Sequence, residues 1–110
     1  PGEHLDMRLA QEAATFMEAH RDRPFFVNLW LYTVHTPLQA APEKIAKYRA
    51  LVRDGARHTN PTYAAMVEHM DDTVGVVLDA LDRLGLAENT IVVFTSDNGG
   101  SLPHAQNNDP

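Results

Sequence analysis

The sequence predicts an α/β layer structure with parallel strands and covering helices, and three observations predict it. Residues 24–32 (PFFVNLWLY) and 90–95 (TIVVFT) are short, almost continuously apolar runs, as strands covered on both faces are. Other segments carry apolar residues at three- and four-residue steps, the period of a helix with one buried stripe. Along the chain the order is helix, strand, loop, helices, strand, the alternation that parallel strands need for their crossovers.

From Leu5 the residues Leu5, Leu9, Ala13, Phe16 and Met17 form the first stripe, which should end near His20 to Asp22, before Pro24. The run that follows has Asn28 as its one clear polar interruption. After the loop TVHTPLQAAP, Pro42 suits the first turn of a second helix carrying Ile45, Tyr48, Leu51 and Val52, with Gly55 as a left-handed stop. The third helix has the strongest signals. Asn60 can cap it and Pro61 fits its first position, while Tyr63, Met66, Val67, Met70, Val74, Val77, Leu78, Leu81 and Leu84 keep its period. Gly85 is placed as its C-terminal glycine, with Leu86 packing back on the last turn. A short AEN turn then leads into the second apolar run. Two central strands leave sheet edges open, so further strands are expected from elsewhere in a longer chain or from another copy.

The 110 residues suffice for one small domain with a core, and no internal repeat is present. A formal charge of −6 with scattered acids and bases argues against a nucleic-acid partner, which requires clustered Lys and Arg. Without cysteine, the segment offers no disulfide, thiolate metal site or cysteine nucleophile. No apolar run reaches the roughly 20 residues of a membrane span, and PGEHLDMRLA lacks the form of a signal peptide. The chain has no initiating Met and its end, QNNDP, reads as mid-loop sequence. A piece of a larger protein is the expectation.

In open α/β sheets the ligand site lies beyond the carboxyl ends of the strands. His35 follows the first predicted strand, and Asp97 and Asn98 follow the second. If the strands are parallel, an imidazole, a carboxylate and an amide oxygen share one side of the sheet. Taken alone, Asp97-Asn98-Gly99 reads as an Asx-type turn, or as a pair of hard oxygen donors suited to Ca2+ or Mg2+. His35 reads as a loop histidine with a satisfied ring, or as a group that binds an oxyanion or passes a proton near neutral pH. His69 is expected on the surface of the long helix, with His4, His20 and His58 at element ends or in loops; His104 comes soon after the Asp-Asn-Gly loop. Asp71 and Asp72 are adjacent helical positions about 100 degrees apart, which suits a solvated face and not a paired-carboxylate site. Met66 and Met70 fit ordinary core.

With both loops placed, PFFVNLWLYTVHTPLQAAPEKIAKY and YAAMVEHMDDTVGVVLDALDRLGLAENTIVVFTSDNGG closely resemble the central part of type I sulfatases, the arylsulfatase-like branch of the alkaline phosphatase superfamily. The resemblance implies that residues 1–110 are an incomplete part of a catalytic α/β domain, a fragment of an alkaline-phosphatase-like parallel-sheet sandwich with helices on both faces. It implies that Asp97 and Asn98 are ligands of an active-site Ca2+, with Mg2+ as the alternative. It also implies that His35 contacts the sulfate ester and assists the departing oxygen. The family's nucleophile is a formylglycine made within a Cys/Ser-x-Pro-x-Arg motif, which residues 1–110 lack, along with the early acidic metal ligands. A lysine is expected shortly beyond Pro110.

The implied partner is a sulfated small molecule or sulfated sugar. The segment itself is expected to need the remainder of its own chain or to self-associate, and to be inactive alone. A phosphoesterase or phosphonate hydrolase of the same superfamily, and a non-catalytic α/β binding module, are the competing readings. Relatives of this kind are periplasmic, secreted or lysosomal, and no targeting sequence is present to read.

Overall fold

The computed structural model describes residues 4–99. They form helices α1 (Leu5–Ala19), α2 (Pro42–Arg49) and α3 (Pro61–Arg83), followed by a single 3₁₀ turn at Ala87–Asn89. The chain divides into two compact units, one of Pro1–Tyr32 with Met70–Phe94, the other of Thr33–His69 with the residues from Thr95.

In the first unit α1 buries Asp6, Ala10, Ala13 and Met17. That face is rotated from the predicted stripe, of which only Ala13 and Met17 are buried: Leu5 is 51% and Phe16 41% exposed. Two causes are visible. Ala10 and Ala13 are small enough for close approach of the helix to its neighbours, and Asp6 is drawn inward because its Oδ1 accepts the Tyr32 backbone N–H at 2.9 Å. Phe16 instead stacks on His20 at 4.1 Å between ring centroids and meets Phe25 edge-on at 6.3 Å.

Met17, Ala80 and Leu81 form the core of this unit, with Ala14, Phe25, Val27, Val77, Leu84 and Leu86 packed around them. Each large apolar side chain buried there contributes about 1.5–3 kcal/mol. The end of α3 is fastened to the same cluster. Gly85 takes a positive φ of 70°, the Leu86 N–H bonds the Leu81 carbonyl at 2.9 Å, and the Gly85 N–H bonds that of Asp82 at 3.0 Å. This Schellman closure satisfies end carbonyls and turns Leu86 back onto the core, as the Gly85-Leu86 pair predicts.

The predicted strands are where the structure departs from expectation. Among the described residues no β-strand is formed, so these residues do not themselves build the parallel-sheet sandwich. Residues 25–32 do alternate between half-buried and exposed, the period of a strand. Phe25, Val27, Leu29 and Leu31 lie on the covered side, while Phe26, Trp30 and Tyr32 are 85%, 77% and 69% exposed. Ile91, Val92, Val93 and Phe94 are exposed as well. The physical reason is that a strand exists by its hydrogen-bonded neighbour, and among the described residues the two runs do not ladder with each other.

In the second unit α2 begins at Pro42 as predicted and ends at Arg49, short of Leu51 and Val52. Those two side chains are exposed, and Gly55, at φ 78°, turns the following loop and does not stop the helix. Asn60 caps α3, its Oδ1 accepting the Tyr63 N–H at 2.8 Å, and Pro61 follows as the first helical residue.

Candidate functional site

His35 sits in the irregular segment between Tyr32 and α2, where the peptide bonds Thr33–Val34 and Thr36–Pro37 are cis. Its side chain is exposed. Nδ1 lies 2.9 Å from the Thr36 carbonyl oxygen and 3.4 Å from the Thr36 hydroxyl. A carbonyl only accepts, so the 2.9 Å contact places a proton on Nδ1 and leaves Nε2 as the nitrogen for an outside partner. In neutral imidazole Nε2 accepts a hydrogen bond, and in imidazolium it donates one.

Asp97 and Asn98 lie in an exposed bend. The Ser96 hydroxyl donates to the Asn98 carbonyl, and the Thr95 hydroxyl to the Ser96 carbonyl at 3.3 Å. The predicted turn chemistry is only partly used, because neither Asn98 nor Gly99 takes a positive φ. A carboxylate and an amide on consecutive residues are hard oxygen donors of the kind divalent cations accept. Among the described residues no group of three or more His, Cys, Asp or Glu could hold a metal ion. Calcium takes about 6–8 oxygens, so two side chains can form only part of its shell.

His35 belongs to Thr33–His69, and Asp97 and Asn98 follow Thr95, so all three residues fall within the same compact unit. His69 is half-buried, not on an open helix face as expected, while Asp71 and Asp72 are exposed. His104 lies outside the described residues.

One charged cluster in this unit was not foreseen. Glu68 of α3 meets two lysines of α2, with Lys44 Nζ 3.0 Å from Oε1 and Lys47 Nζ 2.7 Å from Oε2. The Tyr48 hydroxyl bonds the same carboxylate. These bonds, Lys47 first, then Lys44 and Tyr48, hold the Glu68 carboxyl down at about 2. In return the hydrogen bond to Glu68 raises the Lys47 ammonium and the Tyr48 phenol above their ordinary values. The sequence signal is present, since Lys44, Lys47 and Tyr48 lie three and four residues apart on one helical face. Their shared partner is 20 residues beyond Tyr48 and has no local mark.

The Sulfatase family model matches residues 1–110. The chain belongs to the sulfatase family. Among relatives, a sulfatase of Formosa agariphila is 42% identical over 94 residues, covering 78% of this chain and 17% of that protein. Steryl-sulfatase of Rattus norvegicus is 42% identical over 98 residues, covering 89% of this chain and 15% of the relative. N-acetylgalactosamine-6-sulfatase of Mus musculus is 32% identical over 106 residues, covering 94% and 18%. This sulfatase-family chain therefore spans less than a fifth of the length of these relatives. Among solved structures, Ps i-CgsB in complex with k-i-k-neocarrahexaose superimposes with a TM-score of 0.81 at 35% identity, over 100% of this chain and 24% of that one. No described helix is long and apolar enough to cross a membrane.

Proposed function

We propose that residues 1–110 are an incomplete segment of the catalytic α/β domain of a sulfatase, a hydrolase of sulfate esters. The observation that carries this is the family match across the whole chain, supported by His35, Asp97 and Asn98 falling in one compact unit. Asp97 and Asn98 supply two oxygen ligands to a divalent cation, Ca2+ by preference and Mg2+ as the alternative. Such an ion, when bound, neutralises the charged ester oxygens. His35 contacts the ester: with Nδ1–H held by the Thr36 carbonyl, its Nε2 faces the substrate and, as imidazolium, donates to the departing oxygen. The formylglycine nucleophile and the remaining metal ligands come from parts of the enzyme outside residues 1–110. The substrate is a sulfated small molecule or a sulfated sugar. Relatives named for steryl and for N-acetylgalactosamine-6-sulfate chemistry bracket that class.

The test uses the full-length enzyme. Aryl sulfate hydrolysis and calcium titration are measured for the wild type and for His35→Ala, Asp97→Ala and Asn98→Ala. The expected result is a fall in kcat of about 10²–10⁴ for His35→Ala with calcium affinity retained, and weakened calcium binding with lost turnover for the other two. Wild-type turnover in His35→Ala and Asp97→Ala together would overturn the proposal and favour a non-catalytic module. Hydrolysis of phosphate esters in preference to sulfate esters would transfer it to the phosphoesterase branch.

A further inference from the structure

Helix α2 is held by little burial, with Lys44, Ile45 and Tyr48 only half-buried. It has eight residues, no buried side chain and no side-chain cap at Ala41, and isolated helices below about 12–15 residues are marginal in water. The polar link from it to α3 is the Glu68 carboxylate, which takes hydrogen bonds or ion pairs from Lys44, Lys47 and Tyr48. Lys47 also lies 5.2 Å from the centroid of the Tyr48 ring, so the donors brace one another. An isolated exposed ion pair would contribute little, but one carboxylate shared by three groups from a single helical face fixes both the position and the rotation of that helix.

Residues 33–41 run directly into α2, so α2 is the downstream anchor of the segment that carries His35. The exposed His35 ring is bonded to its own neighbour Thr36. Its location therefore follows the backbone of this segment. We propose that Glu68 is a positioning residue, which clamps α2 to the first turns of α3 and thereby fixes the downstream end of the His35 loop. The proposal rests on the role given to His35 above.

In the full-length enzyme, Glu68→Lys opposes both lysines, and Lys44→Glu/Lys47→Glu/Glu68→Lys restores attraction with the signs exchanged. Amide hydrogen exchange across residues 33–49 reports the clamp itself, and kcat, KM and calcium affinity report its consequence. Glu68→Lys is expected to speed exchange in α2 and to lower kcat about ten- to hundredfold, the scale of a misplacement near 1 Å, with calcium affinity retained. The exchanged triple variant should recover both. Where Glu68→Lys fails to fold, the isosteric Glu68→Gln carries the same test through exchange and kcat. Unchanged exchange in α2 overturns the clamp whatever His35 does. Faster exchange with unchanged kcat overturns the positioning role, provided His35→Ala is impaired in the same assay; full activity in His35→Ala removes the role of His35 itself.

Discussion

Asp6 is fully buried in the first turn of α1, and its Oδ1 accepts the backbone N–H of Tyr32, 26 residues away, at 2.9 Å. Replacing it with Ala removes the acceptor and leaves that amide without its carboxylate. A hydrogen bond to a charged group contributes about 1.5–3 kcal/mol. At about 1.4 kcal/mol for each factor of ten, the Tyr32 amide of Asp6→Ala should exchange with solvent roughly ten- to hundredfold faster. Asp6→Asn keeps an oxygen in place and should fall between wild type and Asp6→Ala. The assay is amide hydrogen exchange read at Tyr32, with the amides of α3 near Leu81 as an internal reference. Unchanged exchange at Tyr32 in Asp6→Ala, or an Asn variant more perturbed than the Ala variant, would refute the reasoning, because either result separates Tyr32 from the carboxylate.

Two further outcomes follow from the same packing and charge. Met17 is 2% exposed at the centre of the cluster with Ala80 and Leu81, so Met17→Ala should cost about 2–5 kcal/mol; a urea-midpoint shift equivalent to less than about 1 kcal/mol would contradict its place in the core. Glu68 has its carboxyl lowered from 4.5 to about 2 by its bonds to Lys47, Lys44 and Tyr48. Because the folded value lies below the unfolded one, the stabilisation is fully present above pH 4.5 and is lost as pH falls through 2. Carboxyl NMR titration should give a midpoint near 2, whereas a midpoint near 4.5 would mean that the clamp is not formed in solution.

Helices and their ends were the most legible part of the sequence, because the groups that specify them are close neighbours along the chain. Asn60, Pro61, Gly85 and Leu86 each act within a turn of their own position, and the structure uses all four as the local chemistry predicts. The face buried by α1 was less legible. Leu5 and Phe16 are the stronger apolar candidates by side chain, yet Ala10 and Asp6 are buried in their place. The small size of Ala10 and Ala13 and the hydrogen bond from Tyr32 to Asp6 favour this rotation, and neither is visible from periodicity. Only half of the cluster around Glu68 was legible, since its donors share a face of α2 while their acceptor belongs to another helix.

Strands and sites share a property that helices lack: both are relations between distant segments. Residues 25–32 keep the two-residue alternation of a strand without a strand partner among the described residues, and the open side they present, Phe26, Asn28, Trp30 and Tyr32, is aromatic but for Asn28. Asp97 and Asn98 are comparable, two oxygen donors held in an exposed bend, which in the role proposed for them would fill only part of a metal's coordination shell. On the proposed reading, in both cases the sequence carries the local half of an arrangement whose other half is supplied by the rest of the enzyme. The chain spans less than a fifth of the length of the relatives it matches, and the segment reading proposed above would account for both features with one cause. If the proposed segment and ligand roles hold, the partner strands and the further ligands come with the rest of the enzyme, so strand pairing at residues 25–32 and calcium affinity at Asp97 should appear together in the full-length enzyme, and hydrogen exchange with calcium titration would show one without the other if the proposal is wrong.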